Sequence, residues 1–570
     1  MRRIATAALF LAGVLLGYAE AQDSAGDGST EFTAGQQTAL ASLPQIKGAA
    51  NPQLEIVRDE SQRIVGKLKA TLTAPSMAVD TWVVVVPQAP SFDGQQIIDQ
   101  TTSLDAIEIV DQSPDKRPLL RSKVKVTVPE KPSTSSYESA ITVQLYSRKL
   151  QPRGRRRANV EDLSPTERDR YLVPNRYFDY ESKEFKGWKE QHGFVREKRE
   201  SEFDFAHRVF QTIATDYSYH YEFRQDRTAT NLCQLNKTDC GGLSILFTTV
   251  MRSEAIPART LVGRWAKSAG PASSIGGDRD QAFHVIAEFF AKGIGWIPVD
   301  AASAVLHDNT PNKVKFFGSQ AGNFVTFHFD QQVFIDTDLW GVKPMGFVQM
   351  PKYWFRGKGA FDDTVFTHDW IVEKVDAQPS DASVANSKMQ AKGRNVGNSS
   401  SGERNFVFLP LVHVRQAERL CAPTSASMVL LRYGMRVPPQ QIKQLANSVA
   451  TDPDFPGTYF KDLVGGLEKL GVVWTRQHFK TDASGFAEGL AVIEKSLREG
   501  RPVLVDTFVP PEGHTVVING LDPNRQLISI VDPFIAAPGL RSVTYAEFEQ
   551  LWRSAISDVR GCILTAPKSP

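Results

Sequence analysis

The amino-acid sequence predicts a multidomain α+β protein, in which an N-terminal β-sandwich-like domain is followed by two domains that are each organised around a cysteine. The chain has 570 residues, enough for about three to five domains. Alternating apolar residues over 51–150 predict strands. Two later blocks each contain a helix that starts at a cysteine, followed by a hairpin with a His and an Asp.

Charge and composition exclude several classes of protein. Lys and Arg total 66 and Asp and Glu total 64, so the net charge of +2 argues against a nucleic-acid partner held by a global basic field. A hydrophobic fraction of 41% and a charged fraction of 23% are typical of ordinary globular cores. Four cysteines are too few for a disulfide scaffold, so each is interpreted singly.

The N-terminus has the features of a signal peptide. Arg2 and Arg3 precede an apolar run over residues 4–16, and residues 19–21 read Ala-Glu-Ala, with small side chains at the cleavage positions. The run is shorter than the roughly 20 residues that span a bilayer. We expect residues 1–21 to be removed, leaving an exported protein, periplasmic or secreted, with no membrane span. An uncleaved N-terminal anchor is the alternative.

Composition divides the rest of the chain. Residues 22–50, rich in small and polar side chains, predict a flexible leader. Residues 51–150 predict a β-sandwich-like domain with no catalytic constellation. Its expected strands contain one continuous apolar run, Trp82–Val86, and three segments in which apolar residues alternate with others, Leu68–Leu72, Val124–Val128 and Ile141–Leu145. Residues 377–404 lack large apolar side chains and predict a linker between blocks 160–376 and 405–570.

Cys240 lies at the start of the first predicted cysteine helix. Apolar residues recur at three- and four-residue spacing after it, which indicates a buried helix with the cysteine in its first turn. Helix N-terminal amides favour the thiolate, the nucleophilic form of the side chain. Gly241 and Gly242 leave the backbone clear, so that a substrate oxygen can reach the Cys240 amide.

A base and an orienting group follow on a predicted hairpin. Residues 283–290 and 296–299 indicate two strands, and His284 and Asp300 are 16 residues apart, an even separation that can bring both to one face of the sheet. We expect His284 to serve as the base for Cys240 and Asp300 to orient it.

These motifs together resemble the transglutaminase-like core, a family built on the papain fold. The segments DCGG, IPAR, LVG, HVIAEF and GWIPVD occur in the order and spacing of that family, and the upstream IATDYSYHY is also similar. The resemblance covers about 200–305. It implies catalytic roles for Cys240, His284 and Asp300, and either Tyr219 or Tyr221 would complete the oxyanion site.

The final block repeats the pattern with different motifs. Cys421 starts a predicted helix whose first turn contains Pro, Thr and Ser, which are favourable there. His514 and Asp532 lie 18 residues apart on two strands joined at residues 522–524, again an even separation. Gln416 stands five residues before the cysteine, where its amide could donate to an oxyanion.

This block resembles the bacteriocin-processing peptidase-like family, which also has the papain fold, over about 405–565. The resemblance implies that Cys421 is the nucleophile, His514 the base, Asp532 the orienting group and Gln416 the oxyanion donor. The predicted fold is therefore an N-terminal β-sandwich-like domain followed by two papain-like cysteine-hydrolase domains.

Cys233 and Cys562 have no such partners. Export would allow a disulfide between Cys233 and Cys240, which would silence the latter, and a bridge that involves Cys562 also stays open. The other histidines lack metal-ligand spacing, so we expect neither a metal nor another cofactor.

The sequence predicts a cysteine hydrolase that acts on amide or peptide bonds of protein, peptide or peptidoglycan substrates. Two alternatives remain open at this point. The first region could transfer its acyl group to an amine and cross-link proteins, or one or both regions could be non-catalytic envelope-binding or scaffold modules. The oligomeric state is not predicted.

Overall fold

The computed structural model describes most of the chain. The described residues are 54–153, 160–222, 225–273, 282–310, 313–375, 406–448, 457–509, 512–535, 539–554 and 558–565. The predicted signal peptide, leader and linker lie outside them. Two compact units are formed by the described parts of Met1–Val110, Arg117–Gln331 and Gly346–Ala377, and by those of Asp111–Lys116, Gln332–Met345 and Gln378–Pro570. No described helix is long and apolar enough to cross a membrane.

The first unit contains a large antiparallel sheet built on one long strand, Leu54–Ala74. Leu68 and Leu72 on this strand, and Ile141 on its neighbour, point into a buried layer, as the alternating sequence predicts. The strand-rich character of the N-terminal region is confirmed. In order across the sheet the strands are Ala269–Ser273, Val365–Lys374, Leu54–Ala74, Ser133–Pro152 and Ser319–Gln320, with Gln95–Thr102 also paired to Ser133–Pro152.

A second antiparallel sheet places its most apolar strand, Met77–Pro87, in the interior. The run Trp82–Val86 is buried at every position, which explains its lack of alternation. The strands lie in the order Lys352–Gly359, Met77–Pro87, Pro118–Lys125 and Ala106–Val110. Strands from residues 352–374 therefore share both sheets with strands from 51–150.

One predicted strand is shorter than the sequence suggests. Pro118–Lys125 ends before Val126 and Val128, and Val128 is 68% exposed. Pro129 and Pro132 follow, and proline supplies no N–H to a sheet ladder. Alternation alone therefore overextended this strand.

A four-stranded sheet and the helix Cys240–Ser253 form the next layer of the first unit. The sheet order is Gly295–Val299, Phe283–Ala291, Ala258–Trp265 and Phe324–Phe329. Leu243 and Phe247 of the helix pack with Val285 and Phe289 of the sheet, and all four are buried. Burial of each such side chain contributes roughly 1.5–3 kcal/mol, so the helix is held firmly against the strand that carries His284.

Five further described helices and one small parallel pair surround this layer. A capping box starts the first of these helices, where the hydroxyl of Ser164 accepts a hydrogen bond from the amide of Glu167. The helices are Pro165–Arg170, Lys183–Gln191, Glu202–Asp216, Ala229–Leu232 and Ala301–His307, and Ser218–Tyr219 pairs in parallel with Lys237–Thr238.

The second unit is organised on a seven-stranded antiparallel sheet covered by helices. Leu504 and Val517 face the core that contains the Cys421–Arg432 helix, while Val505 and Ile518 belong to another core cluster. The strand order is Trp474–Phe479, Arg560–Thr565, Val503–Val509, Glu512–Asp522, Leu527–Val531 and Leu540–Thr544, with Val407–Phe408 paired to Glu512–Asp522. The other helices are Pro439–Ala446, Phe460–Glu468, Ala483–Arg498 and Tyr545–Leu551.

The second unit also contains a hairpin from earlier in the chain, Val333–Asp336 with Val342–Met345. Arg525 forms a bidentate pair with Asp336, at 2.7 and 2.8 Å. The rings of Phe334 and Phe408 pack with centroids 5.7 Å apart. This folding unit is therefore discontinuous in sequence.

Candidate active sites

The first candidate site is built at the N-terminus of the Cys240–Ser253 helix. Asp239 caps the helix, because its Oδ1 accepts a hydrogen bond of 3.0 Å from the amide of Gly242. Cys240 follows as the first helical residue and is buried. The local sequence thus fixes the thiol at the positive end of the helix dipole, as predicted.

The two glycines after Cys240 are required by close neighbours. A Cβ on Gly242 would overlap the hydroxyl and Cβ of Thr238, and one on Gly241 would lie 3.1 Å from the ring of Phe347. Glycine therefore lets the helix start tightly against the Lys237–Thr238 strand. The space beside these glycines is therefore filled by protein side chains, and the predicted open approach for a substrate oxygen is not what the glycines provide here.

His284 and Asp300 are brought together as the hairpin spacing predicts. His284 Nε2 lies 2.8 Å from Asp300 Oδ2. The side chains of His284 and Cys240 are also hydrogen-bonded, which leaves Nδ1 of the ring for the thiol. Asp300 is held in place because it accepts hydrogen bonds from the amide and hydroxyl of Ser303, at 2.9 and 2.7 Å.

Electrostatics at this site favour an imidazolium ion. Burial opposes the charge on His284, but attraction and hydrogen bonding to Asp300, together with the contact with Cys240, raise the pKa of His284 to about 10. Burial likewise opposes the Asp300 charge, yet His284 and Ser303 hold the pKa of Asp300 below its usual value. The proton therefore resides on the histidine and not on the aspartate.

The structure distinguishes the two tyrosines proposed for the oxyanion site. The Tyr219 hydroxyl is hydrogen-bonded to Cys240, and burial, together with the neighbouring Cys240, raises the pKa of Tyr219, which keeps this hydroxyl a donor. Tyr221 is 49% exposed, and the Arg227 guanidinium lies 5.8 Å from its ring centroid. Tyr219 is therefore the tyrosine placed at the thiol.

The second candidate site has the same arrangement. Cys421 is the first residue of the Cys421–Arg432 helix and is partly exposed. His514 Nε2 lies 2.7 Å from Asp532 Oδ1, which also accepts from the amide of Phe534 at 2.9 Å. Arg541 lies 3.5 Å from the other carboxylate oxygen. The predicted nucleophile, base and orienting group are again adjacent.

The pKa values of Cys421 and His514 are shifted in opposite directions. Burial raises the pKa of the Cys421 thiol, but hydrogen bonds with His514 and with the Thr515 amide lower it more, so that the pKa lies below its usual value. Burial opposes the His514 charge, yet Asp532 and Cys421 raise the pKa of His514 to about 9. A thiolate and an imidazolium are therefore stabilised as a pair.

Gln416, the predicted oxyanion donor, is held next to the orienting aspartate. Its backbone N–H donates to the carbonyl of Pro533 at 2.8 Å. Its Oε1 is buried and has no hydrogen-bond partner among the described residues. Oε1 only accepts hydrogen bonds, so an oxyanion would be bound by Nε2 of the same side chain, and the role of Gln416 as oxyanion donor stays a prediction.

Comparison with known proteins adds to this geometry. Residues 192–301 match the Transglutaminase-like superfamily. Residues 408–557 match the Peptidase_C39 like family. Both resemblances inferred from the sequence motifs are confirmed, and the chain is a multidomain protein with a transglutaminase-like and a C39-like region of papain-like fold. No curated protein matches this chain.

Solved structures that match parts of the chain include three bacterial proteins. A proposed cysteine protease from Cytophaga hutchinsonii is 14% identical, with a TM-score of 0.36, and the match covers 57% of this chain and 94% of that one. The peptidase domain of Streptococcus ComA, a bifunctional ABC transporter, is 19% identical, with a TM-score of 0.21 and coverage of 28% and 98%. The periplasmic domain of TgpA from Pseudomonas aeruginosa is 12% identical, with a TM-score of 0.21 and coverage of 43% and 91%.

Several residues around the transglutaminase-like site were missed by sequence reasoning. Trp265 stacks on the His284 ring with centroids 4.2 Å apart, and Gln349 donates to the His284 carbonyl at 3.0 Å. Arg227 pairs with Asp239 through three hydrogen bonds of 2.6–3.0 Å. Trp265 follows the recognised LVG motif closely, but Arg227 and Gln349 carry no local signal.

The C39-like site also has an unpredicted neighbour, Phe534. Its ring lies edge-on to His514, with centroids 6.2 Å apart, and is 67% exposed. An exposed aromatic beside the candidate base offers an apolar contact for a substrate. Its position two residues after Asp532 was the available signal.

The remaining cysteines are not paired in the structure. All four cysteines of the chain are free, so the disulfide between Cys233 and Cys240 left open by the sequence is not formed. Burial raises the pKa of Cys233 to about 11 and that of Cys562 to about 12. Within the described ranges, no three His, Cys, Asp or Glu side chains come together to hold a metal ion.

Proposed function

We propose that the chain is an exported cysteine hydrolase that cleaves amide or peptide bonds at two centres. One observation carries the proposal: in both regions a cysteine at a helix start is hydrogen-bonded to a histidine whose Nε2 is bonded to an aspartate. This supplies a nucleophile, a base and an orienting group at each centre.

Each centre would work by acyl transfer. The thiolate of Cys240 or Cys421 attacks the substrate carbonyl carbon, and the imidazolium gives its proton to the departing amine, which leaves a thioester. Water then attacks the thioester while the same histidine takes a proton from it, and the acid product and the thiol are released. Tyr219 with the Cys240 amide, and Gln416 at the other centre, would donate to the developing oxyanion.

The substrate class follows from the C39-like match. A peptidase-like region favours a protein or a peptide as substrate, with peptidoglycan stem peptides as one form of it. The N-terminal sequence adds that the reaction takes place outside the cytoplasm, in the periplasm or after secretion. The net charge of only +2 suits such substrates, which need no electrostatic capture.

The proposal is tested with Cys240→Ala, Cys421→Ala and the double variant in the full chain. Each is assayed for hydrolysis of denatured proteins, a peptide library and peptidoglycan fragments, with a labelled primary amine present. Each single variant is expected to lose one activity and the double variant both, because only thiolates form the thioester. Cys233→Ala, which changes a buried thiol of raised pKa, is the matched control and retains both activities.

Hydrolysis by the double variant would refute the mechanism. If the labelled amine is incorporated into protein and this incorporation is lost specifically in Cys240→Ala, the first centre cross-links proteins instead of hydrolysing them. Inactivity of the parent chain on the whole panel, together with unreactive thiols, would favour a binding module instead.

A further inference from the structure

A pair of buried serines occupies the same position relative to both candidate sites. Ser244 Oγ donates to the carbonyl of Val285 at 3.0 Å, and Ser425 Oγ donates to the carbonyl of Thr515 at 3.0 Å. Each serine follows its cysteine by four residues, and each acceptor directly follows the histidine. The two regions match different families, so this bond recurs on two different sequence backgrounds.

The location of these hydroxyls follows from helix geometry. Residues four apart lie one above the other on the same helix face, so each serine lies one turn below the nucleophile. Its bond therefore ties the first turns of the cysteine helix to the strand that carries the histidine. In the C39-like site the same strand residue acts twice, since the Thr515 amide donates to Cys421 and the Thr515 carbonyl accepts from Ser425.

Mid-helix hydroxyls commonly bond to a carbonyl one turn earlier in their own helix. Thr249 does so in the Cys240–Ser253 helix, where its hydroxyl donates to the carbonyl of Ile245 at 2.6 Å. Ser244 and Ser425 instead donate to a carbonyl outside their own helices. Both serines are almost fully buried, at 1% and 0% exposure. A bond directed out of the helix, to the residue next to the base, sets the separation of helix and strand.

We propose that Ser244 and Ser425 are positioning residues that hold each cysteine within hydrogen-bond reach of its histidine. This inference rests on the proposed function, because it concerns the geometry of the same nucleophiles. A displacement of about 1 Å in such a pair can lower a reaction rate roughly 100-fold. The hydroxyls touch neither the substrate nor the reacting atoms, and act through the helix and the strand.

The test uses Ser425→Ala in the full chain with Cys240→Ala, so that Cys421 is the reactive thiol. Carboxamidomethylation of Cys421 by iodoacetamide is followed by mass spectrometry from pH 5 to 9. The rate near pH 6 is expected to fall roughly tenfold and its apparent pKa to move up towards that of an ordinary thiol, because the contact with His514 is loosened. Ser425→Thr, which keeps the hydroxyl, is expected to restore part of the profile.

Ser427→Ala is the matched control. Ser427 is buried in the same helix and donates to the carbonyl of Val437 at 2.7 Å, away from the histidine strand. Ser427→Ala should lower the melting temperature about as much as Ser425→Ala does. It should leave the pH dependence of Cys421 carboxamidomethylation unchanged. Asp506 also titrates in this range, because burial raises the pKa of its carboxyl to about 7, and its charge acts on His514. Since Asp506 is present in every variant, its effect on the pH profile is the same in each and does not change the comparison.

The outcomes separate the two proposals. If Cys421 of the parent reacts no faster than an unactivated thiol, the proposed function is wrong. If the parent is activated and Ser425→Ala moves the profile no more than Ser427→Ala does, the positioning role is wrong. The same experiment on Ser244→Ala in a Cys421→Ala chain, with Thr249→Ala as control, tests the transglutaminase-like site.

Discussion

The acid–base behaviour of Cys421 and His514 differs from that of isolated side chains. The pKa of Cys421 lies below its usual value, and that of His514 is raised to about 9, so both are charged between the two values. Hydrolysis at this centre is expected to decline in acid as the thiolate is protonated, and in alkali above about pH 9 as His514 loses its proton. Initial rates measured against pH check this bell shape.

The Asp532→Asn variant tests whether His514 causes the alkaline limb of this pH profile. It removes the charge that holds the pKa of His514 high, so the alkaline limb should move to lower pH. An alkaline limb that stays in place in Asp532→Asn would contradict the assignment of that limb to His514.

The hydroxyl of Tyr219 provides a second prediction at residue scale. Tyr219→Phe, in a Cys421→Ala chain, should lower kcat at the Cys240 centre about 10²–10³-fold with a smaller change in KM, because the donor acts on the oxyanion. Tyr221→Phe removes a hydroxyl from an exposed ring and serves as control. Equal losses in the two variants would show that Tyr219 is not the donor.

Residues joined by regular spacing could be predicted from the sequence, whereas residues joined by tertiary packing could not. The even separation of His284 and Asp300 matches the hairpin register, in which Ala287 pairs with Val299 and Ala291 with Gly295, so both residues lie on one face. Arg227 reaches Asp239 across an irregular segment, and Gln349 reaches His284 from 65 residues away. No local period in the sequence encodes contacts of that kind.

At the scale of elements, the start of the Cys240–Ser253 helix depends on glycine. Gly242→Ala should destabilise the first unit by about 1–3 kcal/mol, because the added Cβ meets the short and rigid Thr238 side chain. Calorimetry of the full chain would show a lower melting temperature for one transition.

Gly187→Ala is the matched control for this element. Gly187 lies within the Lys183–Gln191 helix, and no atom lies within 4 Å of the place that an alanine Cβ would occupy there. Alanine at this position should stabilise the helix by roughly 0.5–1 kcal/mol. A neutral Gly242→Ala beside a stabilising Gly187→Ala would show that the Thr238 contact relaxes without cost.

Elements were predicted best where one physical pattern dominates. Both cysteine helices and both histidine hairpins follow from periodicity and turn residues. The strand Pro118–Lys125 was overextended because alternation continues through Val128 after pairing stops. Partners of strands distant in sequence, such as Leu54–Ala74 with Val365–Lys374, depend on tertiary packing that no local pattern contains.

At the scale of the whole molecule, the hairpin of residues 333–345 belongs to the unit that holds the C39-like site. Asp336→Ala should weaken this unit by about 0.5–1 kcal/mol, because Arg525 is partly exposed and loses a bidentate partner. Hydrogen exchange of the strand Leu540–Thr544 measures the effect. Asp338→Ala, whose carboxylate lies 3.7 Å from Arg525, should have a smaller one.

The discontinuity of the second unit limits how it can be inherited. The family match covers the continuous stretch 408–557, so recombination within 377–404 could in principle transfer this stretch to another protein. A segment cut there would leave behind residues 111–116 and 332–345, and with them the carboxylate of Asp336 and the ring of Phe334. A transferred segment of residues 408–557 would therefore lack the Arg525–Asp336 pair and the contact between the rings of Phe334 and Phe408.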